Sequence, residues 1–226
     1  MIRIYCDFDG TITDRDTIVF LTERFGAGPE FRRKIVDRIS NGEISVFEAV
    51  RRELETVHAD WETAVAALRE AVHMDPYFEA FVAWCRSQGW EPAVVSSGME
   101  PVVRLFLGHL KLPTAAHRVT PSPDGWRYEM VPEADKERIL ASLPAGDFVV
   151  YVGDGTSDVS VIPYVDLLFA KRDRYLDRWC KRHGVAAQSF ESFREVREHL
   201  QSRLRDAVGG LACKNGPETG VRCTEG

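Results

Sequence analysis

Short apolar runs alternate with segments of helical periodicity along most of the chain. The apolar runs predict four buried strands, within residues 2–6, 91–98, 147–158 and 165–170. Helical spacing of apolar residues predicts helices at 75–89, 99–110, 133–143, 174–184 and 189–200. Buried strands that alternate with helices are typical of a parallel sheet with helices on both faces. The pattern therefore predicts an α/β fold with a doubly wound, Rossmann-like core.

The stretch after the first strand interrupts this alternation. From about residue 17 to residue 72 no segment resembles a strand, and apolar stripes recur at helical spacing, such as Phe31, Ile35 and Ile39. The sequence "SVFE" at 45–48 has the form of a capping box at a helix start. We therefore predict a small helical cap, inserted after the first strand and packed by these stripes.

The segment boundaries follow from the same patterns. We assign residues 1–15 and 75–207 to the core and residues 16–74 to the cap. Alternation around a Pro-Asp-Gly sequence predicts a β-hairpin within residues 116–131. From about Val208 the chain is Gly-rich and polar without periodicity, so we predict a flexible tail over residues 208–226.

Composition and charge narrow the classes of function. The chain has 226 residues, of which 44% are hydrophobic and 28% charged, as in ordinary globular proteins. Its net charge of −6 argues against nucleic acid or an anionic membrane as the main partner. No apolar run approaches the ~20 residues of a membrane span. Five scattered cysteines without a CxxC pair indicate reduced thiols, and the start lacks a secretion-signal pattern, so we expect a cytoplasmic protein.

Polar residues follow three of the predicted strands at the point where each strand ends. Asp7 and Asp9 follow the first strand, Ser96 the second, and Asp154 and Asp158 the third. In open α/β sheets, ligands bind beyond the carboxyl ends of the strands, which short right-handed connections bring together. Several carboxylates in one place repel one another unless a cation neutralises them, and hard oxygen ligands suit Mg²⁺.

The same strand ends offer an anion site and a nucleophile. Ser96 and the amides of "SSGM" stand where a helix is predicted to begin, and such amides favour an anion. Lys136 would add a positive charge there. A carboxylate such as Asp7 needs no deprotonation at pH 7 to attack phosphorus. Asp9 would protonate the leaving alcohol and later activate water. Together these groups point to phosphoryl transfer.

Four sequence motifs resemble, in order, those of the haloacid dehalogenase superfamily of phosphohydrolases: "DFDGT", "VVSSG", the lysine of "ADKERIL", and "GDGTSD". The helical insert resembles the small cap that this superfamily places after its first motif. The resemblance implies that Asp7 is the nucleophile and Asp9 the general acid and base. It also implies that Mg²⁺ is bound by Asp7, the main-chain carbonyl of Asp9, and Asp154.

The resemblance assigns the other motif residues to the phosphate and to support of the site. Thr11 would brace the loop after the first strand, and Asp158 would orient Lys136 or a water on the metal. The implied phosphate-binding residues are Thr11, Ser96, Ser97, Gly98 and Lys136.

Within the superfamily the chain resembles the phosphoserine-phosphatase-like branch, and in its C-terminal third the phosphatases of methionine salvage. "DLLFAKRD" and "SFESFREVREHL" carry this second resemblance. It implies a small phosphorylated metabolite as substrate, either the methionine-salvage enol phosphate or phosphoserine. In phosphoserine phosphatases a cap arginine binds the substrate carboxylate. That position falls near Glu53 here, with Arg51 and Arg52 out of register, which argues against phosphoserine.

The first cap segment, "TIVFLTERF", contains more apolar residues than one helix stripe needs. We therefore expect some of its apolar side chains to face the cleft between cap and core, namely among Ile18, Val19, Phe20, Leu21 and Phe25. An apolar roof favours an uncharged leaving group, such as a methylthio chain, over the zwitterionic phosphoserine. The alternative is that Phe20 and Phe25 only pack the cap.

Two other classes of protein share some of these features. A phospho-acceptor receiver domain also combines strand-end acids, Mg²⁺ and a lysine on a doubly wound sheet, but its first strand is followed by an adjacent acid pair and it has no cap. A catalytically silent relative would bind a phosphometabolite as a sensor. The spaced acids, the cap and the complete set of acids favour a phosphatase that works as a monomer or homodimer.

Overall fold

The computed structural model describes residues 1–212 of the chain, and the side chains of residues 1–203. Its strands are Ile2–Cys6 (β1), Ala93–Met99 (β2), Thr114–Thr120 (β3), Arg127–Glu129 (β4), Phe148–Gly153 (β5), Leu167–Lys171 (β6) and Gln188–Phe190 (β7). They form a seven-stranded sheet in the order β4-β3-β2-β1-β5-β6-β7. Neighbouring strands are parallel except β3 and β4. The predicted α/β fold with a mostly parallel, doubly wound sheet is confirmed.

Helices follow or separate the strands, in the alternation that the sequence predicts. They are Thr17–Phe25 (α1), Gly28–Ser40 (α2), Val46–Glu55 (α3), Trp61–Ala71 (α4), Phe78–Ser87 (α5), Glu100–Leu107 (α6), Lys136–Ala141 (α7), Tyr175–His183 (α8) and Phe193–Ala212 (α9). A 3₁₀ helix spans Thr156–Tyr164. No helix among the described residues combines the length and apolarity needed to cross a membrane.

The sheet is buried on both faces. In β5, Val150 and Val152 belong to one hydrophobic core, and Val149 and Tyr151 belong to the core on the opposite face. This arrangement explains why β5 is a continuous apolar run, since both faces of a parallel strand contact helices.

The central position of β1 brings the functional strand ends together. Cys6 at its end pairs with Val94 of β2 on one side and with Val152 of β5 on the other. The order of the strands reverses at β1, which is where ligands bind in open α/β sheets. The predicted adjacency of the three strand ends is confirmed.

Helices α1 to α4 form the predicted cap between β1 and β2. The chain leaves and re-enters the core side by side, because Thr13 and Met74 form an antiparallel bridge. The Asp75 amide donates to the Ile12 carbonyl over 2.7 Å, and the Asp14 amide donates to the His73 carbonyl over 2.9 Å. These contacts lie beside the boundaries that we propose between cap and core.

The predicted β-hairpin forms between β3 and β4, and its tip holds the cap. Trp126 is fully buried, and its backbone amide donates to the Leu54 carbonyl over 3.0 Å. Its indole N–H donates to the Ala59 carbonyl over 2.8 Å, and its ring lies 6.0 Å from that of Trp61. The hairpin of the core thus fixes the position of α3 and α4.

Some local predictions need correction. Ser45 accepts a hydrogen bond from the Glu48 amide, but the Glu48 carboxylate binds Arg51 and Arg52, so only half of the capping box forms. The predicted helix over residues 189–200 begins later than expected, at Phe193. Ahead of it lies strand β7, which pairs with β6 and buries Phe190.

The tail that we predict from residue 208 overlaps helix α9, which runs to Ala212. The rest of that predicted tail, with Cys213 and Cys223, lies outside the described residues. The three cysteines with described side chains, Cys6, Cys85 and Cys180, are buried and unpaired.

Candidate active site

Asp7 lies directly after β1 and contacts Lys136. Its amide continues the sheet by donating to the Val152 carbonyl over 2.8 Å. Lys136, the first residue of α7, donates to Asp7 Oδ1 over 2.6 Å. Asp7 and Lys136 are only 5% and 4% exposed. This buried ion pair fixes one carboxylate oxygen of Asp7. In the described part of the chain, Oδ2 accepts a single hydrogen bond, from the Thr11 hydroxyl at 3.4 Å.

Asp158 holds Lys136 from the other side. Its Oδ1 accepts from Lys136 over 2.7 Å and from the Tyr151 hydroxyl over 2.6 Å. Its Oδ2 accepts from the amides of Asp154 and Gly155 over 2.9 and 2.8 Å. The Asp158 carboxylate is therefore already hydrogen-bonded at both oxygens, and it is positioned to orient Lys136.

Asp154 completes a cluster of acids at these strand ends. Asp7, Asp154 and Asp158 each offer an oxygen, and these oxygens lie within 4.8 Å of one another. The Thr11 hydroxyl lies 3.3 Å from Asp154 Oδ1 and can donate to Asp7 or to Asp154. Gly10 has a φ of +76°, and a Cβ there would collide with the Asp154 carboxylate. The glycine of "DFDGT" thus permits this close approach.

Asp9 faces the cap and not the acid cluster. Its Oδ1 accepts hydrogen bonds from the amide and the hydroxyl of Thr17, over 2.8 and 2.6 Å. Its Oδ2 is buried and has no hydrogen-bond partner among the described side chains. A Cβ on Gly98 would collide with this oxygen. The side chain of Asp9 lines the cavity between core and cap that is described below. A metal contact through the main-chain carbonyl of Asp9 stays a prediction.

Ser96 and Ser97 lie in the last part of β2, ahead of the helix start, as the predicted strand over residues 91–98 requires. The register of β2 against β3 shifts between Val95 and Met99, and α6 begins only at Glu100. Ser96 Oγ accepts from the Gly98 amide over 2.9 Å, and the Tyr128 hydroxyl donates to the Ser97 carbonyl over 2.6 Å. Both serines and Gly98 line the same cavity as Asp7.

Burial and mutual repulsion raise the pKa values of these acids. Burial raises the pKa of Asp7 to about 7, although Lys136 lowers it, and Asp158 raises it further. Burial together with Asp16 raises the pKa of Asp9 to about 8. Burial and the charges of Asp7 and Asp158 raise the pKa of Asp154 well above its usual value. The site therefore carries more carboxylates than Lys136 can balance, and a cation would favour their ionised forms.

The donor atoms of the site fit a magnesium ion. Its acids supply hard oxygen ligands, as Mg²⁺ requires. Among the described residues, the Asp154 carboxylate accepts only the Thr11 hydrogen bond and Asp7 keeps Oδ2, whereas Asp158 uses both oxygens for protein donors. By this reasoning Asp7 and Asp154 are the side chains that would hold the ion.

A cavity of about 590 Å³ separates these residues from the cap. Of the predicted apolar roof, Ile18, Val19 and Phe20 line it. Ile18 and Phe20 also pack in the hydrophobic core, as do Leu21 and Phe25, which do not belong to the described lining. Charged side chains also line its wall, including Arg32 of α2 and Glu53 of α3. Within the described part of the chain, Arg51 and Arg52 are absent from the lining and bind Glu48 on the surface of the cap.

Sequence reasoning missed several residues of the site. Tyr151 could have been noticed, because a tyrosine within an apolar strand needs a partner for its hydroxyl. Ser157, whose hydroxyl accepts a hydrogen bond from Lys136 Nζ over 3.1 Å, lies within the fourth motif. Thr17 and Arg32 gave no signal, since their contacts with Asp9 and Glu53 depend on how the cap helices pack.

Comparison with known proteins agrees with this geometry. The profile of the haloacid dehalogenase-like hydrolases matches residues 4–162, which include all four motifs. The chain belongs to this family.

Three curated relatives match over most of their length. Pdp3-interacting factor 1 of Schizosaccharomyces pombe is 33% identical over 216 residues, which cover 88% of this chain and 94% of that protein. The polyol phosphate phosphatase PYP1 of Saccharomyces cerevisiae is 29% identical, over 89% of this chain and 93% of that protein. A 2-hydroxy-3-keto-5-methylthiopentenyl-1-phosphate phosphatase of Exiguobacterium sibiricum is 29% identical, over 89% of this chain and 97% of that protein.

Among solved structures, a phosphoserine phosphatase with an analogue of its phospho-aspartyl intermediate superimposes with a TM-score of 0.69. It is 21% identical and the match covers 88% of this chain and 99% of that one. At that identity the match shows the fold, including the cap after β1. The family, the match to a curated phosphatase and the acid cluster identify the protein as a phosphoric monoester hydrolase acting on a small phosphorylated substrate.

Proposed function

We propose that the protein hydrolyses phosphomonoesters in two steps through a phosphorylated Asp7, with Mg²⁺ as cofactor. The observation that carries this proposal is the state of the Asp7 carboxylate. Lys136 fixes Oδ1 at 2.6 Å, while Oδ2 accepts only the long Thr11 hydrogen bond among the described residues and is available for attack. Bound Mg²⁺ would offset the negative charge of the phosphoryl oxygens and the carboxylates.

We assign Asp9 to proton transfer in both steps. In the first, an Asp7 oxygen bonds to phosphorus, the bond from phosphorus to the ester oxygen breaks, and Asp9 protonates the departing alcohol. In the second, Asp9 takes a proton from water, which attacks phosphorus and releases phosphate from Asp7. Its raised pKa supports the acid role at neutral pH, and its unpartnered Oδ2 is the atom that we assign to proton transfer.

We assign the remaining residues to the phosphate and to support of the reacting groups. Lys136 and the amides around Ser97 and Gly98 would bind the phosphoryl oxygens, with the Ser96 hydroxyl and Thr11 beside them. Asp154 and the Asp9 carbonyl would hold Mg²⁺ together with Asp7. Asp158 keeps Lys136 in place by its 2.7 Å contact.

We propose that the leaving group is uncharged. The resemblance puts the carboxylate-binding arginine of phosphoserine phosphatases near Glu53, and Glu53 is a buried acid on the cavity wall, which would repel the carboxylate of phosphoserine. The apolar residues Ile18, Val19 and Phe20 support the methionine-salvage enol phosphate as one substrate, as does the similarity to a phosphatase of that compound. The similarity to a polyol phosphate phosphatase supports a polyol phosphate.

We place the protein in the cytoplasm, supported by its three buried free cysteines.

A substrate panel tests this proposal. The purified protein is assayed for phosphate release from an aryl phosphate, the enol phosphate, a polyol phosphate and phosphoserine, with Mg²⁺ and after treatment with a chelator. We expect hydrolysis that needs the divalent ion, with a higher kcat/KM for the two uncharged leaving groups than for phosphoserine. Full activity after chelation, or a preference for phosphoserine, would contradict the proposal.

A further inference from the structure

Glu53 is a buried acid whose position in the cap is not explained by packing. It is 2% exposed, and it lies on α3 among the residues that line the cavity. The same helix directs its other acids, Glu48 and Glu55, outward to Arg51. Buried carboxylates usually have several hydrogen-bond donors, because desolvation of the charge is costly.

The one cation beside Glu53 among the described side chains leaves its carboxylate incompletely bound. Arg32 Nε lies 3.0 Å from Glu53 Oε1, but the direction does not suit a hydrogen bond. Oε1 is therefore buried without a hydrogen-bond partner among the described residues. Burial raises the pKa of Glu53 to about 7 despite the opposing effect of Arg32, and Asp16 and Glu23 raise it further. Arg32 is thus an ion-pair partner of the Glu53 carboxylate, and no described donor makes a well-directed hydrogen bond to Oε1.

The chemistry around Glu53 indicates that the group of the substrate facing it is an uncharged hydrogen-bond donor. A leaving group with a carboxylate would meet the like charge of Glu53. A purely apolar leaving group would cover Oε1 and leave a buried acceptor unsatisfied, which disfavours binding. A cationic group is not required, since Arg32 already stands beside the carboxylate. A hydroxyl group can donate to Oε1 without adding charge.

We propose that Glu53, held by Arg32, determines specificity by accepting a hydrogen bond from a hydroxyl of the leaving group, so that phosphomonoesters of polyhydroxylated alcohols are preferred. This inference rests on the proposed function, because it requires the phosphate to bind at Asp7 and the leaving group to extend towards the cap. Ile18, Val19 and Phe20 would then contact the carbon chain, while Glu53 reads one of its hydroxyls.

The direct test compares two substrates of equal chain length, a pentitol 1-phosphate and n-pentyl phosphate. We define the hydroxyl preference as kcat/KM for the pentitol phosphate divided by kcat/KM for n-pentyl phosphate. It is measured separately for each variant. For the unmodified protein we expect a preference of at least roughly tenfold, because a site built for a hydroxyl rejects the analogue without it. Glu53→Gln should reduce the preference roughly tenfold, since a neutral amide is a weaker acceptor.

Two further variants control this experiment. Glu55→Gln removes an exposed acid from the same helix, one that binds Arg51 and does not line the cavity, and should leave the preference unchanged. Arg32→Gln should lower the preference, because the Glu53 carboxylate loses the group that holds it.

The outcomes separate the two proposals. If the unmodified protein hydrolyses n-pentyl phosphate as efficiently as the pentitol phosphate, the inference about Glu53 is wrong while the phosphatase proposal stands. A preference that survives both Glu53→Gln and Arg32→Gln also overturns it. If neither compound nor an aryl phosphate is hydrolysed, the proposed function itself fails.

Discussion

At the scale of single residues, the site depends on which oxygen of each acid is already bound. Asp7 and Asp158 share Lys136, yet Asp158 also binds Tyr151 and two amides, whereas Asp7 keeps an oxygen with one long contact. Asp9 belongs to a separate group with Thr17. From these hydrogen bonds we assign three aspartates to different roles: Asp7 as nucleophile, Asp158 as support for Lys136, and Asp9 as general acid.

The first residue-scale prediction concerns Asp9. Asp9→Asn keeps the shape of the side chain but removes the proton that the leaving alcohol needs and the base that activates water. We expect kcat to fall by roughly 100- to 10,000-fold, as for the loss of a general acid and base. Steady-state phosphate release measures the effect, with Asp37→Asn on the exposed surface of α2 as the matched control. Retention of more than half of the activity would refute the assignment.

A second residue-scale prediction uses the raised pKa of Glu53, which is about 7 against an ordinary value of 4.5. The folded state binds the proton more tightly than the unfolded chain, so this group favours folding below pH 4.5 and that contribution is lost as the pH rises to 7. The shift corresponds to roughly 3 kcal/mol at most. Urea unfolding from pH 4.5 to 8 should show that stability falls more steeply in the unmodified protein than in Glu53→Gln. Parallel curves for the two proteins would contradict this prediction.

At the scale of secondary-structure elements, the hairpin between β3 and β4 couples core and cap. Trp126 is fully buried and donates its indole N–H to Ala59 of the cap. Trp126→Phe removes this hydrogen bond and leaves a small cavity, so we expect a loss of about 1–3 kcal/mol in the free energy of unfolding. We also expect a higher KM, because the cap forms the cavity roof.

Unfolding in urea and steady-state kinetics measure both effects of Trp126→Phe. The control is Trp179→Phe on α8, a half-buried tryptophan outside the cap that stacks on His183 and should lose less stability and leave KM unchanged. Equal stability changes in the two variants would show that the hairpin does not hold the cap.

The elements were predictable from the sequence where a local pattern determines them. The continuous apolar run of β5 and the helical stripes of α3 and α4 correspond to buried strand and amphipathic helix. The three-residue strand β7 was not predictable, because so short a strand forms only through its pairing with β6 and the burial of Phe190. The motif acids were found from sequence, whereas the contacts of Thr17 with Asp9 and of Arg32 with Glu53 arise from packing of separate elements.

At the scale of the whole molecule, the acid cluster of the doubly wound core faces the helical cap across a cavity. The clustered charges of Asp7, Asp154 and Asp158 oppose folding unless a cation is bound. Mg²⁺ should therefore raise the melting temperature of the protein in low-salt buffer, by binding the folded state. Asp154→Asn should abolish most of this increase. An equal increase in the variant would exclude Asp154 as a ligand.

The most direct test of the central claim is to locate the phosphoryl group during turnover. The protein with Mg²⁺ is mixed with a substrate of the panel, quenched in acid within one turnover, digested, and examined by mass spectrometry. The account predicts one phosphoryl group on the peptide that contains Asp7, removable by hydroxylamine, and none in Asp7→Asn. A phosphoryl group on another residue, or active Asp7→Asn protein, would contradict the claim that Asp7 is the nucleophile.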